Sequence, residues 1–179
     1  GLNNDISSKE KDRIYGKQWI EFLSNCKATL GTESGASLID FTGEIEYRLN
    51  RYQAFHPFRD FSRVPQELLA KDGEIELQVI SPRCFEAAVL GTVMILYPGD
   101  YSGILKAEKH YLLLEKDFSN VDEVVEQLRD HKGLEQIAGQ AKQDLVQSGK
   151  YSFEHFILDF DQVIEDLREE KRWVPVNQP

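Results

Sequence analysis

Between Ser81 and Gly103 the chain reads SPRCFEAAVLGTVMILYPGDYSG. Two charged residues, Arg83 and Glu86, stand among residues otherwise suited to a core. A carboxylate accepts hydrogen bonds and a guanidinium donates them, so the two types together can meet a polar ligand or each other. Their spacing matters as much as their chemistry. Ser81 fits an N-cap and Pro82 the first helical position, where a missing N–H costs nothing, which predicts a helix beginning at residues 81–82. On that helix Arg83 and Glu86 are i, i+3 neighbours, while Phe85, Ala88 and Val89 turn towards a sheet. The charges then face whatever lies beside the helix N-terminus, an end that attracts anions. The competing reading is a surface ion pair worth well under ~1 kcal/mol.

Two glycine-bearing segments reinforce the ligand reading. GTESGAS follows a strand ending at Gly31, and PGDYSG follows one ending at Tyr97. Loops beyond the carboxyl ends of parallel strands are where open α/β sheets bind ligands. Their backbone amides, with the helix start at Ser81, can hold a diphosphate without any lysine motif. Ser34 and Gly35 in the first loop and Ser102 and Gly103 in the second are therefore candidate ligand-binding residues, with two ordinary turns as the alternative. His110, opening a strand near the second loop, joins them. His56, His131 and His155 lack metal-ligand spacing, and no metal site is expected.

The elements that must position these residues alternate between helix and strand. The segment from about Ser8 to Leu23 reads as a helix with Ile14, Trp19, Phe22 and Leu23 on a broken apolar face, and KATLG as a short strand. Residues Thr32 to Lys71, which include YRLNRYQAFHPFRDFSR, show no clean period and read as a functional loop or mobile segment. TVMILY reads as a buried strand and HYLLLE as a second, and apolar runs separated by helices predict a parallel sheet. Val121, Val124, Val125 and Leu128 mark a helix capped by Ser119 or Asn120, and Leu134, Ile137, Ala138, Ala141 and Leu145 mark another. A third runs from about Ser152 to Arg172, its stripe formed by Phe153, Phe156, Ile157, Phe160, Val163, Ile164 and Leu167. WVPVNQP follows as a tail.

Composition bounds the function. The chain has 179 residues, of which 41% are hydrophobic and 29% charged. That length suits one domain burying roughly 70% of its unfolded surface. No apolar run approaches the roughly 20 residues of a membrane helix, so no transmembrane segment is expected. A net charge of −10 opposes nonspecific binding to nucleic acid or anionic lipid. Cys26 and Cys84 are too few for a disulfide framework, which points to a reducing, cytoplasmic setting. The sequence opens GLNNDISS without an initiator Met, so Gly1 reads as a cleavage site or expression scar and the chain as a fragment.

The stretch from Ser81 to Gly103 resembles a pattern in the group 1 GT-B glycosyltransferases and their CgeB-like relatives: Ser, Arg or Leu, an aromatic or Leu, Glu-Ala, small residues and Gly, then an apolar strand and a glycine loop. KHYLLLEKDFSNVDEVVEQLRD is similar to that family's strand, acidic-aromatic loop and helix, and GKYSFEHFILDFDQVI to its closing helix. The likeness covers about Tyr15 to Leu167. It implies a Rossmann-like parallel sheet flanked by helices, the C-terminal, nucleotide-sugar-binding domain of a GT-B fold, at residues 15–172. Residues 1–14 would then be linker and helix start, and residues 173–179 a tail. It also implies that Glu86 accepts hydrogen bonds from the donor's ribose hydroxyls, with Arg83 and the amides around Ser102 and Gly103 facing the diphosphate. Glu33 is the candidate for an upstream second glutamate. The donor would be a nucleotide-diphosphate sugar, with no other cofactor and no metal, and the acceptor would be held by an N-terminal domain absent from these residues.

Rival motifs fare worse. DFD at Asp159–Asp161 imitates a metal-binding DxD, but i and i+2 on a helix diverge by about 200° and cannot share one cation. TESGA lacks the flanking glycines of a G-x-S-x-G elbow, since Thr32 and Ala36 stand where they are needed. The aromatic and basic residues of YRLNRYQAFHPFRDF suit stacking on single-stranded nucleic acid, against which the net acidity argues. The alternative function is a nucleotide-binding or protein-interaction α/β domain that performs no transfer.

Overall fold

A computed structural model describes residues 3–7, 9–57, 64–70 and 72–170. In chain order it contains α1 (Gly16–Ser24), β1 (Ala28–Gly31), β2 (Ser34–Ala36), α2 (Glu44–Phe55), α3 (Gln66–Leu69) and β3 (Leu77–Val79). There follow α4 (Pro82–Leu90), β4 (Val93–Leu96), β5 (Leu112–Leu113), α5 (Val121–Gln127), α6 (His131–Lys142) and α7 (Phe153–Glu170). Residues 15–172, read from the sequence as one domain, divide between two compact units. The first comprises residues 1–31, 82–98 and 104–179, and the second residues 32–81 and 99–103.

The first unit is mixed α/β and Rossmann-like. Its sheet has the order β1-β4-β5 with every pair parallel; Ala28 stands opposite Val93, Gly31 opposite Leu96, and Ile95 opposite Leu112. All four residues of β4 are buried, as a central strand covered on both faces requires. On one face Val93, Ile95, Leu112 and Leu114 pack with Val124, Leu128, Leu134 and Ala138. Met94 and Leu96 alternate to the other face and are equally buried. Thr92, buried just before β4, donates its hydroxyl hydrogen bond to the carbonyl of Leu23 at 2.8 Å, tying the sheet to the end of α1. A π-helical turn, Gln143–Gln147, continues α6 and keeps Leu145 buried.

In the second unit β2 and β3 pair antiparallel, with Ser34 opposite Val79 and Gly35 opposite Gln78. Arg48 of α2 reaches Glu67 of α3 at 3.6 Å. The irregular stretch expected over residues 32–71 therefore holds a strand and two helices, although residues 58–63 and Lys71 lie outside the described residues. The reason for the blurred period is physical. No residue of α2 is buried, so its sequence needs no apolar stripe.

Other boundaries also shift. The expected helix from Ser8, a residue outside those described, is broken: Glu10–Asp12 form a 3-10 turn, and Arg13 and Tyr15 are extended before α1 begins at Gly16. Gly16 has φ +57°, a conformation that glycine adopts at little cost, and Ile14 sits at the surface. Asn120 occupies the N-cap position of α5 without capping it. Its side chain instead accepts from the Glu115 amide at 2.9 Å and donates to the Leu113 carbonyl at 2.8 Å, closing the turn after β5. The closing helix stops being described at Glu170, so Lys171, Arg172 and the tail at 173–179 fall outside.

Candidate functional site

Helix α4 begins at Pro82, as its sequence demands, and buries Cys84, Ala87 and Ala88. That i, i+3, i+4 set replaces the expected inward trio of Phe85, Ala88 and Val89. Val89 is exposed, and Phe85 instead meets Tyr151 edge to face at 5.7 Å. The rotation leaves Arg83 and Glu86 on the side facing α1. There the two charges share one indole. Trp19 donates its Nε1–H to Oε2 of Glu86 at 2.8 Å, and the Arg83 guanidinium carbon lies 5.5 Å from the centroid of the same ring. An aromatic ring is negative on its face and positive at its edge, so the cation over the face and the carboxylate at the N–H edge both match its charge distribution. Trp19 thus fixes Glu86, half-buried, while the remaining carboxylate lone pairs are acceptors of the kind a vicinal diol uses.

His110 is buried, and both its ring nitrogens are engaged within the first unit. Nδ1 accepts from the Lys106 amide at 3.1 Å, so Nε2 carries the proton and donates to Oδ2 of Asp144 at 3.0 Å. Lys109 reaches the same oxygen at 2.6 Å, and Gln140 donates to Oδ1 at 3.0 Å. Lys109 first and His110 second hold the Asp144 carboxyl well below the usual carboxylate range. This arrangement staples the segment before β5 to the end of α6.

Ser34, Gly35, Ser81, Ser102 and Gly103 belong to the second unit, whereas Arg83, Glu86 and His110 belong to the first. Within the second unit the two glycine-bearing segments do meet. Oε1 of Glu33 accepts from the Tyr101 amide at 2.6 Å. Tyr101, Ser102 and Gly103 have φ of +49°, +57° and +68°, a left-handed run of three residues. The Gly103 amide donates to the backbone and side-chain oxygens of Asp100, at 2.9 and 3.0 Å. The Ser102 hydroxyl accepts from the Ile80 amide at 3.1 Å, beside Ser81. The loop thus already holds carboxylates on the amides of Tyr101 and Gly103.

GTESGAS is not a free loop, because Ser34–Ala36 is strand. At Gly35, φ +159°, an added Cβ would stand 1.6 Å from the Leu77 carbonyl oxygen, so close pairing with β3 explains the glycine. At Gly99 an added Cβ would stand 2.5 Å from Oε2 of Glu33. That glycine makes room for the carboxylate.

Sequence reasoning missed the partner roles of Trp19, Tyr101 and Asp144. Trp19 had a usable signal in its polar N–H, which seeks an acceptor when partly buried. The segment YRLNRYQAF forms α2 and one wall of an open cleft of about 450 Å³ lined in part by Arg51, Tyr52 and Phe55. Arg48, also at that cleft, lies 4.0 Å from Glu44 and 3.6 Å from Glu67, which offsets its charge. Asp159 and Asp161 both lie on α7, as the helical reading of DFD requires. No helix among the described residues is long and apolar enough to cross a membrane. No protein-family model matches this chain, and no curated protein matches it.

Proposed function

We propose that this chain is the donor-binding half of a GT-B glycosyltransferase, which binds a nucleotide-diphosphate sugar and transfers the sugar together with a second, acceptor-binding domain. The observation that carries the reading is Glu86 held by Trp19 on α4, the helix that leads into β4 of the parallel β1-β4 pair, with Arg83 beside it on the same ring. A carboxylate fixed in advance loses little side-chain freedom when it accepts from the two ribose hydroxyls. Arg83 donates to the diphosphate and stabilises the negative charge that develops on the leaving nucleotide. The sugar–oxygen bond to the diphosphate breaks as the acceptor oxygen bonds the anomeric carbon, and the acceptor's proton leaves to a base outside these residues. The phosphates are neutralised by protein donors in this scheme, because the one DxD sequence has its carboxylates on diverging sides of α7.

A thermal-shift panel of UDP, GDP, TDP and CDP, each with its sugar conjugates, tests the reading, because a ligand bound to the folded state raises apparent stability by mass action. One nucleotide family should raise the melting temperature, and a chelator should not abolish the shift. No shift with any of them would refute it. The second reading, an interaction domain without transfer, is favoured by the exposure of α7. Nucleotide binding by the full-length parent without acceptor-dependent transfer would select it.

A further inference from the structure

Helix α7 has no buried residue from Phe153 to Glu169. Its apolar residues are nevertheless patterned as if for burial. At 100° per residue the stripe from Phe153 to Leu167 spans about 120° of the helix. Phe153 is 87% exposed and Phe156 63%, and Phe156 stacks along the helix on Phe160 at 6.2 Å. In proteins most helical stability comes from packing such a face rather than from propensity. The edges of the stripe show what can cover it. Glu154, Asp161 and Glu165 run along one side, Asp159 and Asp166 along the other, and Arg168 is the only Lys or Arg between 153 and 169. A second α7 laid against the first, in either direction, would oppose carboxylates to carboxylates, and an anionic bilayer would meet the same repulsion.

We propose that α7 is a docking face for a polypeptide whose own apolar strip is edged by lysine and arginine and packs as an amphipathic helix along the α7 stripe. This inference does not depend on the nucleotide-sugar reading. Its apolar contacts give the attachment, and the acidic edges select the partner and speed the encounter.

The test titrates the full chain against two fluorescein-labelled synthetic amphipathic helices, one with a leucine stripe edged by lysine and one edged by glutamate, read by anisotropy. The lysine-edged peptide should bind at least about tenfold more tightly. Phe156→Ser/Phe160→Ser, which changes no charge, and Asp161→Lys/Glu165→Lys, which reverses one edge, should each weaken it about tenfold. Glu10→Lys/Asp12→Lys, an equal charge reversal at an exposed site elsewhere, should leave it unchanged. Equal binding of the two peptides would overturn the proposal, as would undiminished binding by the serine variant. So would sedimentation showing a wild-type dimer that the serine variant abolishes, which would make the occupant a second copy. Binding of phosphatidylserine vesicles lost in the serine variant would likewise overturn it in favour of a membrane.

Discussion

Replacing Glu86 tests both the packing and the chemistry of the site. Glu86→Ala deletes the acceptor of the 2.8 Å bond from Trp19 and leaves a partly buried indole N–H without it. A hydrogen bond to a charged group is worth about 1.5–3 kcal/mol. If the indole then swings away from Arg83, the cation–π contact adds a further ~0.5–1 kcal/mol. For a chain of this size each kcal/mol moves the melting temperature by roughly 2–4 °C, so the alanine variant should melt roughly 3–16 °C below the wild type. Glu86→Gln keeps a neutral acceptor and should lose less than half as much. The decisive assay is a double-mutant cycle by urea unfolding with Trp19→Phe, which removes the N–H and keeps most of the ring. A coupling of about 1 kcal/mol or more between the two sites is expected. Additivity to within ~0.3–0.5 kcal/mol would refute the claim that Trp19 fixes Glu86.

Three further perturbations follow from the geometry. Gly35→Ala should cost about 3 kcal/mol or more, or unpair β2 from β3, since its Cβ would stand 1.6 Å from the Leu77 carbonyl; amide hydrogen exchange at Val79 would report the unpairing, and unchanged protection would refute it. Glu33→Ala should free the Tyr101 amide and speed its exchange, with a loss of about 1.5–3 kcal/mol, and unaltered exchange would show that the carboxylate is not seated there. Asp144 has its pKa lowered by Lys109 and His110, so the stability it contributes is present above the unfolded value of about 4 and lost as pH falls below it. Asp144→Asn should therefore destabilise the chain at pH 7, on the order of 1 kcal/mol after solvent screening, and the gap to wild type should narrow by pH 3; a constant gap would exclude the linkage.

The parts legible in the sequence were those governed by local chemistry or by burial on both faces. Pro82 marked the start of α4, and the unbroken apolar run of β4 marked a central strand. The helix α2 escaped because none of its residues is buried, so burial wrote no period into it. Strand β2 escaped because its partner, Leu77–Val79, lies some forty residues away, and three residues of Ser-Gly-Ala look like a turn until that pairing is known. The site shows the same division. Arg83 and Glu86 were visible as a pair on one face, whereas Trp19, 67 residues from Glu86, is joined to it only by the fold. His110 was legible as an unusual residue before a strand, but its engagement by Asp144, 34 residues on, was not. The stripe of α7 was fully legible, and its exposure was not, because a pattern made for burial does not say whether the same chain supplies the cover.

The central claim is that Glu86 binds a nucleoside diphosphate rather than only bracing Trp19, and titration calorimetry on three chains tests it most directly. Wild type, Glu86→Ala and Trp19→Phe are titrated with the nucleotide that gives the largest thermal shift, well below every melting temperature. If Glu86 touches the ligand, Glu86→Ala should lose about 1.5–3 kcal/mol of binding, roughly ten- to a hundredfold in Kd, while Trp19→Phe, which keeps the carboxylate, loses far less. Equal affinity in wild type and Glu86→Ala, or equal losses in the two variants, would contradict the account and leave Glu86 a bracing residue.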